Sequence, residues 1–282
     1  MTVFTGHSLA GKSLAGEEGL VLSHTVDGET KQPAQTRSRS VLARGLSILD
    51  AFTSDEPELT LAEIAARSGL PKPTAHRLLG DLVEWGAIER SGPGHYRLAT
   101  KLFRLGQLVP LHRVLRETAL PHLERLHAVS RENVHLAVPD SFYSLFVERV
   151  TGRDAVPLRT RVGARLLSHC TATGKVFLAW GERERFRQLV NAGLPRFTPR
   201  TIVLPGLLHQ DLARTMERGV ATTYEEAEAG VAAVAAPVRG RGGRVVAALS
   251  VTGRAQTMDF DRFGHAVKAA ASAMSTALGD GV

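Results

Sequence analysis

From Ser40 onward the apolar residues fall at helical spacing. Leu42, Leu46 and Leu49 share one face of a helix predicted over Val41–Phe52. The run SDEPE at 54–58 breaks that pattern and reads as a loop. Thr60, followed three residues later by Glu63, has the form of a capping box, and the helix it opens runs to about Ser68, where Gly69 ends it. Pro71 and Pro73 suit the start of the next helix and not its interior. Ala75, Leu78, Leu79 and Leu82 form its apolar face, and Gly86 stops it after Trp85. Ile88–Arg90 and His95–Leu98 then read as a hairpin around Ser91, Gly92, Pro93 and Gly94. A further helix is predicted over Lys101–Leu108 and broken by Pro110.

Past Pro110 the pattern mixes both periods. Arg113–Ser130 is helical, with a bend expected at Pro121. Asn133–Val138 and Phe142–Val147 form a hairpin around Pro139 and Asp140. Thr173–Trp180 and Leu207–Arg218 read as helices. The near-continuous apolar runs Val231–Val238 and Arg244–Val251 read as strands flanking the turn at 239–243, and Asp259–Ala277 closes the chain as an Ala-rich helix. Strands flanked by helices give an α+β fold class. Residues 1–38, rich in Gly, Ser, Thr and Gln without sustained periodicity, read as a disordered extension.

The polar positions supply the chemistry. In the helix after Pro71, Thr74, Arg77 and Asp81 form a polar face, with Lys72 and His76 near the start. Its first two turns contain no acid. A recognition helix of a helix-turn-helix presents such residues to base edges in the major groove. The hairpin adds Arg90 and Arg97, and 90–104 is an acid-free basic stretch completed by Lys101 and Arg104. Arginines on a wing suit phosphate or the minor groove. Asp55, Glu56, Glu58 and Glu63 are expected to face away from DNA. A protein-interaction module of three helices and a hairpin is the plainer alternative.

Further along, Thr171, Ala172, Thr173, Gly174 and Lys175 begin a helix. Backbone N–H groups at such a start hold a carboxylate, and glycine permits close approach. The plainer reading makes Thr171 a cap, Gly174 a packing device and Lys175 a surface charge. Arg149, Arg153, Arg159, Arg161 and Arg165 form a basic stretch, read as a solvated loop that also steers an anion. Glu225, Glu226 and Glu228 read as a surface loop. His169 and Cys170 are adjacent, and on an extended segment they would point oppositely, which argues against a catalytic dyad. No CxxC or HExxH pattern points to zinc. No enzyme, metal or cofactor is expected.

Several segments together resemble the IclR-type bacterial regulators: SVLARGLSILDAF, LTLAEIAARSGLPKPTAHRLLGDLVEWGAIER, GHYRL, SHCTATGKVFLA, ERGVATTYEEAEAGVAAVAAPV and VVAALSVTG. The resemblance spans residues 40–277. It implies an N-terminal winged helix-turn-helix over 39–100, a linker helix over 101–111 and a C-terminal GAF-like effector-binding domain over 112–282. It also implies a homodimer or tetramer on a palindromic double-stranded DNA operator, with a small-molecule effector, often an organic acid. The regulator is read as a repressor. The alternatives kept are a GAF-like sensor whose winged domain serves only dimerisation or protein docking, and an enzyme with an accessory DNA-binding domain. Family effector contacts match Ala172, Thr173, Thr223 and Ala233. Many members carry an acid at the Thr223 position and a cysteine at the Ala233 position, so this chain lacks a charge and a thiol there.

Composition adds two points. The formal charge of +7 does not mark the DNA-reading segment, since residues 40–106 carry as many acids as bases and the excess lies after 106. The single cysteine excludes an intrachain disulfide, and no apolar run approaches the roughly 18 residues of a membrane span. A soluble cytoplasmic protein is expected, with no membrane partner.

Overall fold

A computed structural model of the chain describes residues 40–53, 55–152, 155–158 and 160–279. The extension predicted for 1–38 lies outside them, as do Arg153 and Arg159.

Helix α1 (Val41–Leu49) is capped by the Ser40 side chain. It is followed by a short strand β1 (Glu58–Thr60), then α2 (Leu61–Ser68) and α3 (Lys72–Trp85). The capping box forms as expected: Thr60 Oγ1 accepts from Glu63 N at 3.3 Å, and Thr60 N donates to Glu63 Oε2 at 2.7 Å. Gly69 ends α2 at φ +66°, a left-handed conformation that a side chain resists, and this turns the chain into α3. The hairpin is β2 (Ile88–Gly92) and β3 (His95–Leu98).

β1 departs from the sequence reading, which places Glu58 in a loop. It pairs antiparallel with β3, giving the sheet order β1-β3-β2. Only Leu59 of its three residues is buried, so three positions were too few to show a period. Ile48, Leu59, Ile64, Leu78, Leu79, Ile88 and Tyr96 join in one core under the three helices and the sheet.

Helix α4 (Thr100–Gly106) leads into α5 (Pro110–Ser130), whose first residue is the proline expected to break the chain. Next come β4 (Asn133–Asp140), β5 (Tyr143–Val150) and β6 (Arg165–Leu167), and then a single 3₁₀ turn at Ser168–Cys170. Helices α6 (Ala172–Ala179), α7 (Arg183–Ala192) and α8 (Pro205–Arg218) follow, then β7 (Ala221–Tyr224), β8 (Val231–Arg239), β9 (Val245–Arg254) and α9 (Phe260–Leu278). The six strands form one sheet in the order β6-β5-β4-β9-β8-β7, antiparallel throughout.

Side chains alternate across this sheet. Val134, Leu136, Val234, Ala236, Leu249 and Val251 pack with Leu115, Leu123, Phe263, Val267 and Met274 of α5 and α9. The opposite face carries Ala137, Phe146, Ala221, Ala235 and Ala248 against Ala172, Val176 and Phe177 of α6. Alanines on that face let α6 approach closely. The fold is thus mixed α+β, a winged helix-turn-helix followed by a six-stranded sheet with helices on both faces.

Candidate functional site

In α3 the apolar face is buried at Ala75, Leu78 and Leu79. Lys72, His76 and Arg77 are exposed and Thr74 is half-buried, so the polar face predicted for this helix is the one left open. Arg77 Nη1 lies 3.6 Å from Asp81 Oδ2, one turn along, and both side chains are well exposed.

The wing arginines differ from one another. Arg97 sits on the central strand, opposite Glu58 of β1 and Glu89 of β2. Its Nε is 2.7 Å from Glu89 Oε1 and its Nη1 3.8 Å from Glu58 Oε1. Glu58, one of the acids expected to face away from DNA, is carried by β1 to the side of Arg97. Arg90 lies opposite Tyr96, with its guanidinium 6.0 Å from the ring centroid. Lys101 folds back on Trp85, its Nζ 3.9 Å from the ring centroid and donating to the Trp85 carbonyl at 2.6 Å.

In the second domain, strand register gathers the other candidates. Thr223 pairs with Ala233, Ala233 with Thr252, and Thr252 with Asn133. These four form a row across β7, β8, β9 and β4, on the sheet face that carries α6. A second row on that face runs Ala221, Ala235, Ser250, His135 and Arg149. Asn133, His135, Ser250, Thr252 and Thr223 are all buried. Buried hydroxyl, amide and imidazole groups side by side form a polar wall inside an otherwise apolar domain.

Thr151, Val156 and Thr160, between β5 and β6, reach this wall. Asn133 Nδ2 donates to the Val156 carbonyl at 2.8 Å, and Thr151 Oγ1 donates to Asn133 Oδ1. Arg149 donates from Nη1 to the Thr160 carbonyl and from Nε to Thr151 Oγ1 at 3.0 Å. Arg161 Nη2 meets Asp55 Oδ1 at 2.7 Å, and Arg165 Nε meets Asp140 Oδ2 at 2.6 Å. Arg149, Arg161 and Arg165 of the arginine-rich stretch are therefore engaged within the protein.

At the start of α6, Thr171 Oγ1 caps Gly174 N at 3.2 Å. Thr173 Oγ1 donates to Ser144 Oγ of β5 at 3.0 Å, and both Ala172 and Thr173 are buried. A Cβ on Gly174 would stand 2.2 Å from Ser168 Cα and 2.4 Å from Ser168 O, so this glycine lets the helix seat against the 3₁₀ turn. The first N–H groups of the helix, at Ala172 and Thr173, have no acceptor within it.

Lys175 corrects the sequence reading. It is fully buried, with Nζ 2.7 Å from Asp211 Oδ2 and 2.6 Å from Glu226 Oε1. Glu226, read as part of a surface loop, is buried too, and burial raises its pKa against the opposing pull of Lys175. This ionic cluster ties α6 to α8 and to the segment after β7. No sequence spacing announces it, since its members lie on three separate elements.

His169 and Cys170 lie in the 3₁₀ turn, not on an extended segment. His169 Nε2 donates to the Pro195 carbonyl at 2.9 Å, and Cys170 Sγ faces the Leu167 carbonyl at 3.4 Å. Burial pushes the Cys170 thiol up to about 12, the reverse of what a nucleophile needs. Among the described residues no three His, Cys, Asp or Glu side chains cluster so as to hold a metal ion, and no helix is long and apolar enough to cross a membrane.

Comparison with known proteins bears on both domains. A model of the IclR helix-turn-helix domain matches residues 41–92, and a model of the bacterial transcriptional regulator IclR C-terminal region matches 109–276. The HTH-type transcriptional regulator XynR of Escherichia coli K12 is 36% identical over 241 residues, 84% of this chain and 96% of its own. The transcriptional repressor IclR of the same organism is 31% identical over 245 residues, 84% of this chain and 89% of its own. Among solved structures, an IclR homolog from Microbacterium hydrocarbonoxydans in complex with 4-hydroxybenzoate superposes with a TM-score of 0.79 at 33% identity, covering 85% of this chain and 99% of that one. These proteins are regulators of transcription, which sets aside the reading of an enzyme with an accessory DNA-binding domain.

Proposed function

Because this chain belongs to the IclR family of bacterial transcriptional regulators, we propose that it is a repressor whose hold on a palindromic operator, as a dimer or tetramer, is set by a small organic acid. The observation that carries the ligand part is the pair of polar rows buried beneath α6 and the β5–β6 segment. The start of α6 at Ala172, Thr173 and Gly174 suits the carboxylate, and Thr223 and Ala233 border the ligand on the sheet. With threonine and alanine in these places, the site offers neither an acid nor a thiol there. The 4-hydroxybenzoate bound by the Microbacterium homolog makes that compound the first to try. The domain division is taken as 39–100, 101–111 and 112–282.

On the DNA side, Lys72, Thr74, His76 and Arg77 are assigned to base edges and flanking phosphates, and Arg90 and Arg97 to the wing contacts. One recognition helix reads only a few base pairs, so symmetric half-sites about one helical turn apart are the natural complement. Exposed apolar side chains supply a surface for the second copy. Leu42 and Leu46 on α1 are open to solvent, as are Phe103, Leu105 and Leu108 on and just after α4. Singly such residues are unremarkable, but clustered on two helices they mark an association surface. Leu49 of the predicted stripe instead packs on the core of the winged domain.

The test uses the full chain on DNA upstream of its own and neighbouring genes, with candidate acids added. Salt-dependent protection of two symmetric half-sites is expected, with affinity changed by an acid. Arg77→Ala should cost about 1–3 kcal/mol and relax specificity at one position per half-site. Ala233→Phe should abolish the acid's effect while leaving unliganded operator binding intact. A single protected half-site, or an acid response that survives Ala233→Phe unchanged, would contradict the reading.

A further inference from the structure

On the sheet face under α6, His135 presents a buried atom that lacks a partner among the described residues, its Nδ1. The ring itself is well held. Its Nε2 meets Thr160 Oγ1 at 3.0 Å, and it packs edge-on to Phe146 with centroids 5.2 Å apart and planes at 68°. Strand register sets it between Ser250 of β9 and Arg149 of β5, on the same face as both. Thr160 is held in turn, since its carbonyl accepts from Arg149. A fixed ring that leaves one buried nitrogen without a partner needs a reason, because such atoms are rare and costly.

The protonation state narrows what that nitrogen meets. Burial, reinforced by the facing Arg149, lowers the His135 pKa to about 3. The imidazole is therefore neutral at ordinary pH and carries one N–H. Its partner at Nε2 is a hydroxyl, which both donates and accepts. If Thr160 donates, Nδ1 bears the hydrogen; if Thr160 accepts, Nδ1 is a bare acceptor. A ligand hydroxyl matches Nδ1 in either arrangement, whereas a carboxylate matches only the first.

We propose that His135 Nδ1 hydrogen-bonds a hydroxyl group of the effector, so that the effector is a hydroxy-substituted organic acid and His135 is the residue that distinguishes it from the acid lacking the hydroxyl. The inference rests on the organic-acid reading of this face of the sheet and goes beyond it by naming the second functional group and the side chain that reads it. The site discriminates by leaving its own buried nitrogen unsatisfied when the hydroxyl is missing.

The test is calorimetry on the full chain with two matched pairs of probes, 4-hydroxybenzoate with benzoate and lactate with propionate. In the unsubstituted protein the hydroxylated member of whichever pair binds should be favoured on the order of tenfold. His135→Phe should bind both members of that pair alike. His135→Asn, which retains a donor and an acceptor, should restore part of the preference. The unsubstituted protein provides a second readout that needs no folded variant: in ¹⁵N spectra of labelled histidine, the His135 imidazole signals should shift with the hydroxylated probe and stay in place with the other. A preference that persists in full in His135→Phe, or equal binding of both members by the unsubstituted chain, overturns the inference while the organic-acid reading stands. Failure of all four probes to bind the unsubstituted chain overturns that reading, and this inference with it.

Discussion

Burial governs the chemistry of single residues in the second domain, and Cys170 shows it most directly. Its thiol is buried, and desolvation together with the charge on Glu226 pushes it up from 9.0 to about 12. The thiolate is the reactive form, so at pH 8 the native chain holds almost none. The chain has one cysteine, and the reading is therefore unambiguous. Ellman's reagent should titrate one thiol per chain in denaturant, and in the native state only at the rate of opening or unfolding. Rapid stoichiometric reaction of the folded protein at pH 8 would show that the 3₁₀ turn is not closed as described. The same shift has a consequence at high pH. Between about 9 and 12 the unfolded chain loses this proton before the folded one, so the thiol's contribution to stability falls as pH rises through that window. Lys175 is the opposite case. It is buried between Asp211 and Glu226, and removing one partner of such a cluster costs far more than the intact cluster adds in net stability.

The wing ranks its arginines by what surrounds them. Arg97 stands between two carboxylates, on the middle strand of the three-stranded sheet. To meet a phosphate it must share or leave Glu89 and Glu58, exposed pairs worth at most about 1 kcal/mol each. Their negative charge also stays beside the DNA. Arg90 has an aromatic neighbour in Tyr96. Arg90→Ala should accordingly lower the slope of log affinity against log salt by about 1, and Arg97→Ala by less. Equal losses in both variants, measured by fluorescence anisotropy on one operator duplex over a salt series, would refute this ranking. The sequence did not show it, for a plain reason. Everything in α2, its turn and α3 follows from neighbours a few residues apart: the Thr60–Glu63 cap, Gly69, the two prolines, and the apolar face of Ala75, Leu78 and Leu79. The pairing of β1 with β3 joins Glu58 to Arg97 across nearly the whole domain, and a three-residue strand leaves no pattern to read. The same limit hid α7, whose ten residues include few apolar positions, and the partners of Lys175. The rows Thr223–Ala233–Thr252 and Ser250–His135 became visible only through register. In the sequence only family resemblance points to Thr223 and Ala233, and nothing there points to His135.

At the scale of the whole molecule, a ligand bound on the sheet as proposed would have to be felt at the DNA. A ligand shifts operator affinity only by favouring one arrangement of the chain over another. One direct link between the domains is the ion pair of Asp55, in the connection from α1 to β1, with Arg161, 2.7 Å apart. The neighbouring residue Thr160 touches both His135 through its hydroxyl and Arg149 through its carbonyl. A molecule seated against His135, as proposed, would lie beside Thr160, whose chain neighbour Arg161 pairs with Asp55 of the winged domain. The size of the effect is bounded. Both side chains are half or more exposed, and such a pair is worth no more than about 1 kcal/mol, a factor of roughly five in an equilibrium. Asp55→Asn and Arg161→Ala should each move the ratio of operator affinities, with and without the acid, toward one by up to about fivefold. The acid's affinity for the DNA-free chain should change less. Linkage supplies an internal check, because the operator must alter the acid's affinity by the same factor by which the acid alters the operator's, in each variant as in the parent. Measured by titrating the acid into protein with and without saturating operator, an undiminished ratio in both variants would mean that the signal passes by another route, with α4 the next element to probe.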